Sequence, residues 1–145
     1  MLRLKRRLGD RGAAAVEMAL VLPVLLLVLG GLIDLGRAFF GQIIVANAAN
    51  EAARMVALRY PAADVTTRAV QATAGLTPLV TSSTATVTTV ATCPASIPVG
   101  TYPAGSVVVT APNFRWMVLN VVPRLVGGNV PTPVISGRAS MRCTA

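Results

Sequence analysis

Hydrophobic and polar positions divide this chain into three parts. Residues 1–12 form a short polar leader, and residues 13–59 begin with an apolar run and keep helical composition to their end. Residues 60–145 alternate short apolar and polar stretches, punctuated by proline and glycine. The pattern predicts a leader, one long helix and a carboxy-terminal head, and we take these ranges as the domain organisation.

The apolar run is long enough to cross a membrane. No charged residue occurs from Met18 to Ile33, and the stretch 13–33 is interrupted only by Glu17. A helix needs ~20 residues to span the hydrocarbon core of a bilayer, and this stretch supplies them. We therefore predict a transmembrane helix.

The helix is expected to continue beyond the membrane, since the next proline after Pro23 is Pro61. Residues 14–59 taken as helix give a rod of ~70 Å, of which the hydrocarbon core covers ~30 Å. More than half of the rod is therefore predicted to protrude. Apolar residues spaced by three or four form its expected stripe: Phe40, Ile44, Ala48, Ala52 and Met55.

The head is predicted to contain a short helix followed by strands. Residues 64–74 suit a helix, with Asp64 as a candidate cap and Gly75 as the stop. From residue 76 the composition shifts to Thr, Ser, Val, Pro and Gly, which is typical of strands and turns. The predicted strands are residues 84–93, 106–114 and 133–143, while residues 115–129 are either a short helix or an apolar loop lying against the rod. The predicted fold class is α+β, with a long membrane-spanning helix and a small antiparallel β region.

The distribution of charge predicts the orientation of the chain in the membrane and argues against a nucleic-acid partner. The net charge is +8, but five of the basic residues precede the apolar run: Arg3, Lys5, Arg6, Arg7 and Arg11. The others are scattered singly, without interleaved aromatic residues for stacking, so we expect no nucleic-acid partner. Basic residues beside a membrane span stay in the cytoplasm, which places the amino terminus inside and residues beyond about 35 outside.

Cys93 and Cys143 are the only cysteines, and both fall in the exported part. They either pair or remain two thiols, and an oxidising compartment favours pairing. A disulfide that closes a loop of roughly 50 residues contributes about 4 kcal/mol in the chain-entropy model. If the first and last strands are neighbours, the two cysteines would sit at matching strand ends.

The sequence lacks the groups that catalysis requires. There is no histidine, and the acids beyond the leader are spread along the predicted helices: Glu17, Asp34, Glu51 and Asp64. A hydrolase needs a base beside a nucleophile, and a metal site needs several convergent ligands. We therefore predict no catalytic, cofactor-binding or metal site, and a function other than catalysis.

Gly12 is followed by four small or apolar residues and then Glu17, directly after the basic leader. This arrangement resembles the class III signal of type IV pilins and pseudopilins. The resemblance implies that a prepilin peptidase cuts between Gly12 and Ala13 on the cytoplasmic side. It also implies that Glu17 pairs with the new amine of an adjacent subunit during assembly. The alternative is that Glu17 lies near the interface and interacts only with the helix dipole.

The segment 11–54 resembles the amino-terminal module of TadE-like proteins, minor pseudopilins of the tight-adherence (Flp pilus) system. Met18 stands where an aromatic residue is usual, and the matching positions are Val16, Glu17, Ala19 to Pro23, Asp34, Gly36 and Arg37. The resemblance implies residence in a bacterial inner membrane, with other pilins or pseudopilins and the assembly machinery as partners. Asp34 and Arg37 lie three apart on the helix and are a possible ion pair at the outer interface, worth a few tenths of a kcal/mol if exposed.

Two function hypotheses follow. The first is a non-enzymatic minor pseudopilin, processed by a prepilin peptidase, that takes part in pilus assembly or priming. The second is a single-pass membrane-anchored binding module whose strand region recognises an envelope component and whose leader stays intact. A conventional secretory signal fits poorly, because the apolar run exceeds the usual length of ~7–15 residues.

Overall fold

The structure is a computed structural model that describes residues 5–77, 79–80, 85–125 and 127–144. Residue Arg3 of the basic leader and Thr84, the predicted start of the first strand, lie outside these ranges. The elements are α1 (Lys5–Ala57), α2 (Ala62–Ala72), a 3-10 turn (Ala74–Leu76), β1 (Thr86–Ala91), β2 (Ala104–Ala111), α3 (Val121–Leu125) and β3 (Ile135–Arg142). The predicted α+β class is confirmed.

Two compact units make up the chain. The first unit contains the residues before Gly36 together with Met117–Val130, and the second contains Gly36–Trp116 and Pro131–Ala145. Helix α1 contributes to both units. It begins at Lys5, earlier than the predicted start at residue 14, and ends at Ala57, close to the predicted end.

The second unit is built on a three-stranded antiparallel sheet of order β1-β2-β3. The first and last strands are not neighbours, because β2 lies between them and pairs with both. Side chains of β2 alternate between buried and half-buried positions, which leaves Val107 and Val109 fully buried on one face.

That face packs against the second half of α1. The buried helix residues are mostly alanines, which allow a close approach: Val45, Ala48, Ala49, Ala52, Ala53 and Val56. The predicted stripe is right at Ala48 and Ala52 but wrong at Phe40, whose side chain is 55% exposed. This part of the helix therefore belongs to the core of the second unit and is not a free rod. The sheet covers one face of the helix, and that contact, rather than apolar spacing alone, decides which residues are buried.

The start and end of α2 differ from the prediction. Pro61 occupies the cap position and no side chain caps the helix, while Asp64 lies inside the first turn. Gly75 falls within the 3-10 turn, and the helix has already ended at Ala72. Proline holds φ near the helical value, so Pro61 prepares the first turn without a capping carboxylate.

A disulfide joins Cys93 and Cys143, whose Cα atoms are 5.6 Å apart, as predicted. It connects the chain just after β1 to the chain just after β3, across the end of the central strand. Gly105 of β2 lies next to this crossing. A Cβ atom there would lie 2.5 Å from Val56 Cγ1, which is too close, and 3.4 Å from the Cys93 Sγ, which is an ordinary contact distance. Cys143 also donates its backbone N–H to the Pro103 carbonyl at 2.9 Å.

Gly137 of β3 sets the distance between the sheet and α1. A Cβ atom at this position would lie 2.8 Å from the Val45 carbonyl oxygen and 2.9 Å from Ala46 Cα. These are backbone atoms, so they cannot move aside as a side chain would. We expect Gly137→Ala to lower the free energy of unfolding by about 1–3 kcal/mol, measured by urea titration of the purified full-length chain.

Gly36→Ala is the matched control, because an added Cβ there meets nothing within 4 Å. Alanine is favoured over glycine in a helix by about 1 kcal/mol, so this variant is expected to be at least as stable as the parent. Equal stability of Gly137→Ala and the parent would contradict the close approach.

Candidate functional site

The amino-terminal half of α1 has the character of a membrane segment. The stretch Gly12–Ala57 contains an 18-residue window of mean hydropathy 2.5, of which 6% is buried. Large apolar side chains such as Leu20 and Val24 are more than 60% exposed. This one helix is compatible with a single-pass membrane anchor.

The predicted processing and assembly residues all lie on this exposed helical surface. Gly12 has open space around its Cα, and Glu17 is exposed between the apolar side chains of Val16 and Met18. Their roles in cleavage and subunit pairing stay predictions. The helix carries through Gly12 and Ala13 without a break.

Asp34 occupies the most distinctive position in the first unit. It is fully buried, and its carboxylate accepts three consecutive backbone N–H groups. Met117 donates to Oδ1 at 3.0 Å, while Val118 and Leu119 each donate to Oδ2 at 2.8 Å. Hydrogen bonds to an ionised acceptor are about twice as strong as neutral ones. The carboxylate therefore fixes the start of Met117–Val130 against α1.

The side of α1 next to Asp34 is shaped to receive the same segment. A Cβ atom on Gly30 would lie 2.8 Å from Val118 Cβ, and one on Gly31 would lie 3.7 Å from Leu119 Cδ2. Small residues in a membrane helix commonly let a neighbouring helix approach closely. In the structure Gly30 instead makes room for a side chain of the same chain.

Arg37 contacts residues that come just before this segment in the sequence, and these contacts lie within the second unit. Its Nη1 donates to the Arg115 carbonyl at 3.2 Å, and its guanidinium lies over the buried Phe114 ring, 5.7 Å from the centroid. Phe114 packs edge-on against Trp116, with centroids 5.0 Å apart, and Trp116 Nε1 donates to the Pro131 carbonyl at 3.1 Å.

Sequence reasoning selected Asp34 and Arg37 but expected an exposed pair. Asp34 is buried, so the small energy of an exposed pair does not describe it, and pairing of the two side chains stays a prediction. One of the two alternatives for residues 115–129, an apolar loop lying against the helix, agrees with the position of Met117, Val118 and Leu119. Their role as donors to Asp34 was missed, because backbone N–H groups carry no side-chain signal. The one available clue was the apolar character of residues 115–129.

The fold and these sites define a class: a chain with one helix compatible with a membrane anchor and a disulfide-bonded α+β unit. Residues 12–54 match the family model described as TadE-like protein, which confirms the predicted resemblance for this segment. No curated protein and no solved structure matches the chain.

The Asp34 contacts predict a local stability effect. Asp34→Ala would leave three backbone donors without their acceptor, so opening of the segment should become easier by about 2 kcal/mol, or roughly 30-fold. Hydrogen exchange of the Met117, Val118 and Leu119 amides in the full chain measures this change. Asp64→Ala, which removes an exposed acid from α2, is the control and should leave these rates unchanged. Unchanged exchange in Asp34→Ala would show that the carboxylate does not hold the segment.

Proposed function

We propose that this protein is a non-enzymatic minor pseudopilin that takes part in assembling or priming a tight-adherence pilus. The observation that carries the proposal is the TadE-like match over residues 12–54. The match begins at Gly12, the residue after which the class III signal would be cut, and it includes Glu17 at the head of the apolar helix.

In this proposal the amino terminus lies in the cytoplasm and the head lies outside the inner membrane. The basic residues before Gly12 support this orientation, because lysine and arginine are retained on the cytoplasmic side. The disulfide between Cys93 and Cys143 supports it too, since disulfides persist outside the cytoplasm. A prepilin peptidase, other pilins or pseudopilins and the assembly machinery are the partners.

Glu17 has the chemistry for subunit pairing. A carboxylate inside the apolar layer is costly unless it is partnered. Cleavage after Gly12 creates an amine on Ala13, four residues and ~6 Å along the helix from Glu17. The exposed carboxylate of one subunit can therefore meet the amine of the next and set the axial register between the two helices.

The processing step predicts the mature amino terminus. In cells with an active prepilin peptidase, mass spectrometry should find a chain that begins at Ala13. Gly12→Val should retain the leader because the peptidase must accommodate this residue, whereas the same change at Gly9, inside the leader, should leave cleavage intact. A parent chain that still begins at Met1 would contradict the proposal and favour a membrane-anchored binding module.

If Glu17 acts in subunit pairing, its loss should abolish pilus assembly without affecting cleavage. Glu17→Ala should still be cleaved, but piliation measured by electron microscopy and sheared-pilus yield should be lost. Glu51→Ala is the matched control on the same helix, where the acid lies 3.5 Å from Arg68 in an exposed ion pair. Such a pair contributes about 0–1 kcal/mol, so piliation should persist. Normal piliation of Glu17→Ala would remove the pairing role.

A further inference from the structure

Met117–Val130, which we call the 117–130 segment, is unusually apolar for a part of the chain outside the core. Its sequence is MVLNVVPRLVGGNV, and Arg124 is its only charged residue. Met117 is 61% exposed and Val121 is 52% exposed. Large apolar patches at a surface mark contact with something other than water, and Met117 and Val121 contribute exposed apolar area of this kind.

The position of the segment along α1 indicates what its exposed apolar side chains contact. Val118 packs onto Gly30, one helical turn before Asp34 and within the uncharged stretch Met18–Ile33. If residues 13–33 span the hydrocarbon core, Gly30 lies ~5 Å inside its outer boundary at ~1.5 Å per residue. A side chain packed on Gly30 is then at the depth of the acyl chains.

Several backbone N–H groups of the segment have hydrogen-bond acceptors within the protein. Unsatisfied N–H groups in lipid cost several kcal/mol each. The Asp34 carboxylate accepts the N–H groups of Met117, Val118 and Leu119. Further along, the Val121 N–H donates to the Val118 carbonyl at 3.0 Å, and the Gly128 N–H donates to the Pro123 carbonyl at 2.7 Å.

We propose that the 117–130 segment is a second membrane contact, which dips into the outer leaflet beside α1 and is held there by Asp34. The occupant of its exposed apolar face is lipid acyl chain, because the segment is packed on the membrane helix itself and offers almost no charge to a protein partner. Arg124 is exposed and long enough to reach lipid phosphate from this depth. The inference rests on the proposed membrane anchor.

Fluorescence quenching in proteoliposomes tests the depth directly. The two native cysteines form a disulfide, so single added thiols can be labelled with the fluorophore NBD. Met117→Cys and Val121→Cys report on the segment. Phospholipids with a nitroxide high on the acyl chain should quench both labels at least about twofold more than a label in water.

Two further labels supply the controls. Val99→Cys, at a fully exposed loop residue of the second unit, defines the value for a label in water. Leu25→Cys, in the middle of the apolar run, should be quenched most strongly by a nitroxide deep in the acyl chain. In the background of Asp34→Asn, quenching at Val121→Cys should fall while quenching at Leu25→Cys persists.

The outcomes separate this inference from the anchor on which it rests. Quenching at Leu25→Cys, with the segment labels matching Val99→Cys, would overturn the second contact and leave the anchor intact. Absence of quenching at Leu25→Cys would overturn the anchor and the segment contact together. Segment labels that are shielded only in assembled pili would identify a protein partner and would also overturn the lipid contact.

Discussion

The backbone of α1 lies directly against the backbone of Gly137, and the second unit is arranged around this contact. Because neither surface carries a large side chain at this point, the alanines of the helix reach the buried face of the sheet. The same closeness lets Val56 lie over Gly105, where the disulfide crosses the central strand. The second half of α1 therefore forms part of the core of the second unit.

A second constraint acts in the first unit, where one carboxylate organises the backbone of a distant segment. Burial of a charged group is tolerable when strong hydrogen bonds compensate for the lost solvation. Asp34 meets this condition with three N–H donors from consecutive residues. The acid at the end of the apolar run therefore also attaches an apolar segment of the first unit to α1.

Features that depend on residues close together in the sequence could be predicted from the sequence. The length of the uncharged run predicted the membrane-compatible helix, and the shift to Thr, Val, Pro and Gly predicted strands close to β1, β2 and β3. The pairing of Cys93 with Cys143 was favoured by their being the only cysteines in the sequence, and the structure confirms it. Errors occurred where a distant partner decides the outcome: Phe40 fits the helical stripe by spacing, yet the sheet covers the neighbouring face.

The sequence by itself determined the long apolar helix, the α+β class and the TadE-like character of residues 12–54, because each depends on composition or spacing within a continuous stretch. Only the tertiary structure decided that β2 separates β1 from β3, that Gly30, Gly105 and Gly137 each make room for a particular neighbour, and that Asp34 is buried. Those features depend on atoms brought together from positions far apart in the chain. Backbone N–H groups, which every residue except proline carries, leave no mark in the sequence to show which carboxylate they will meet.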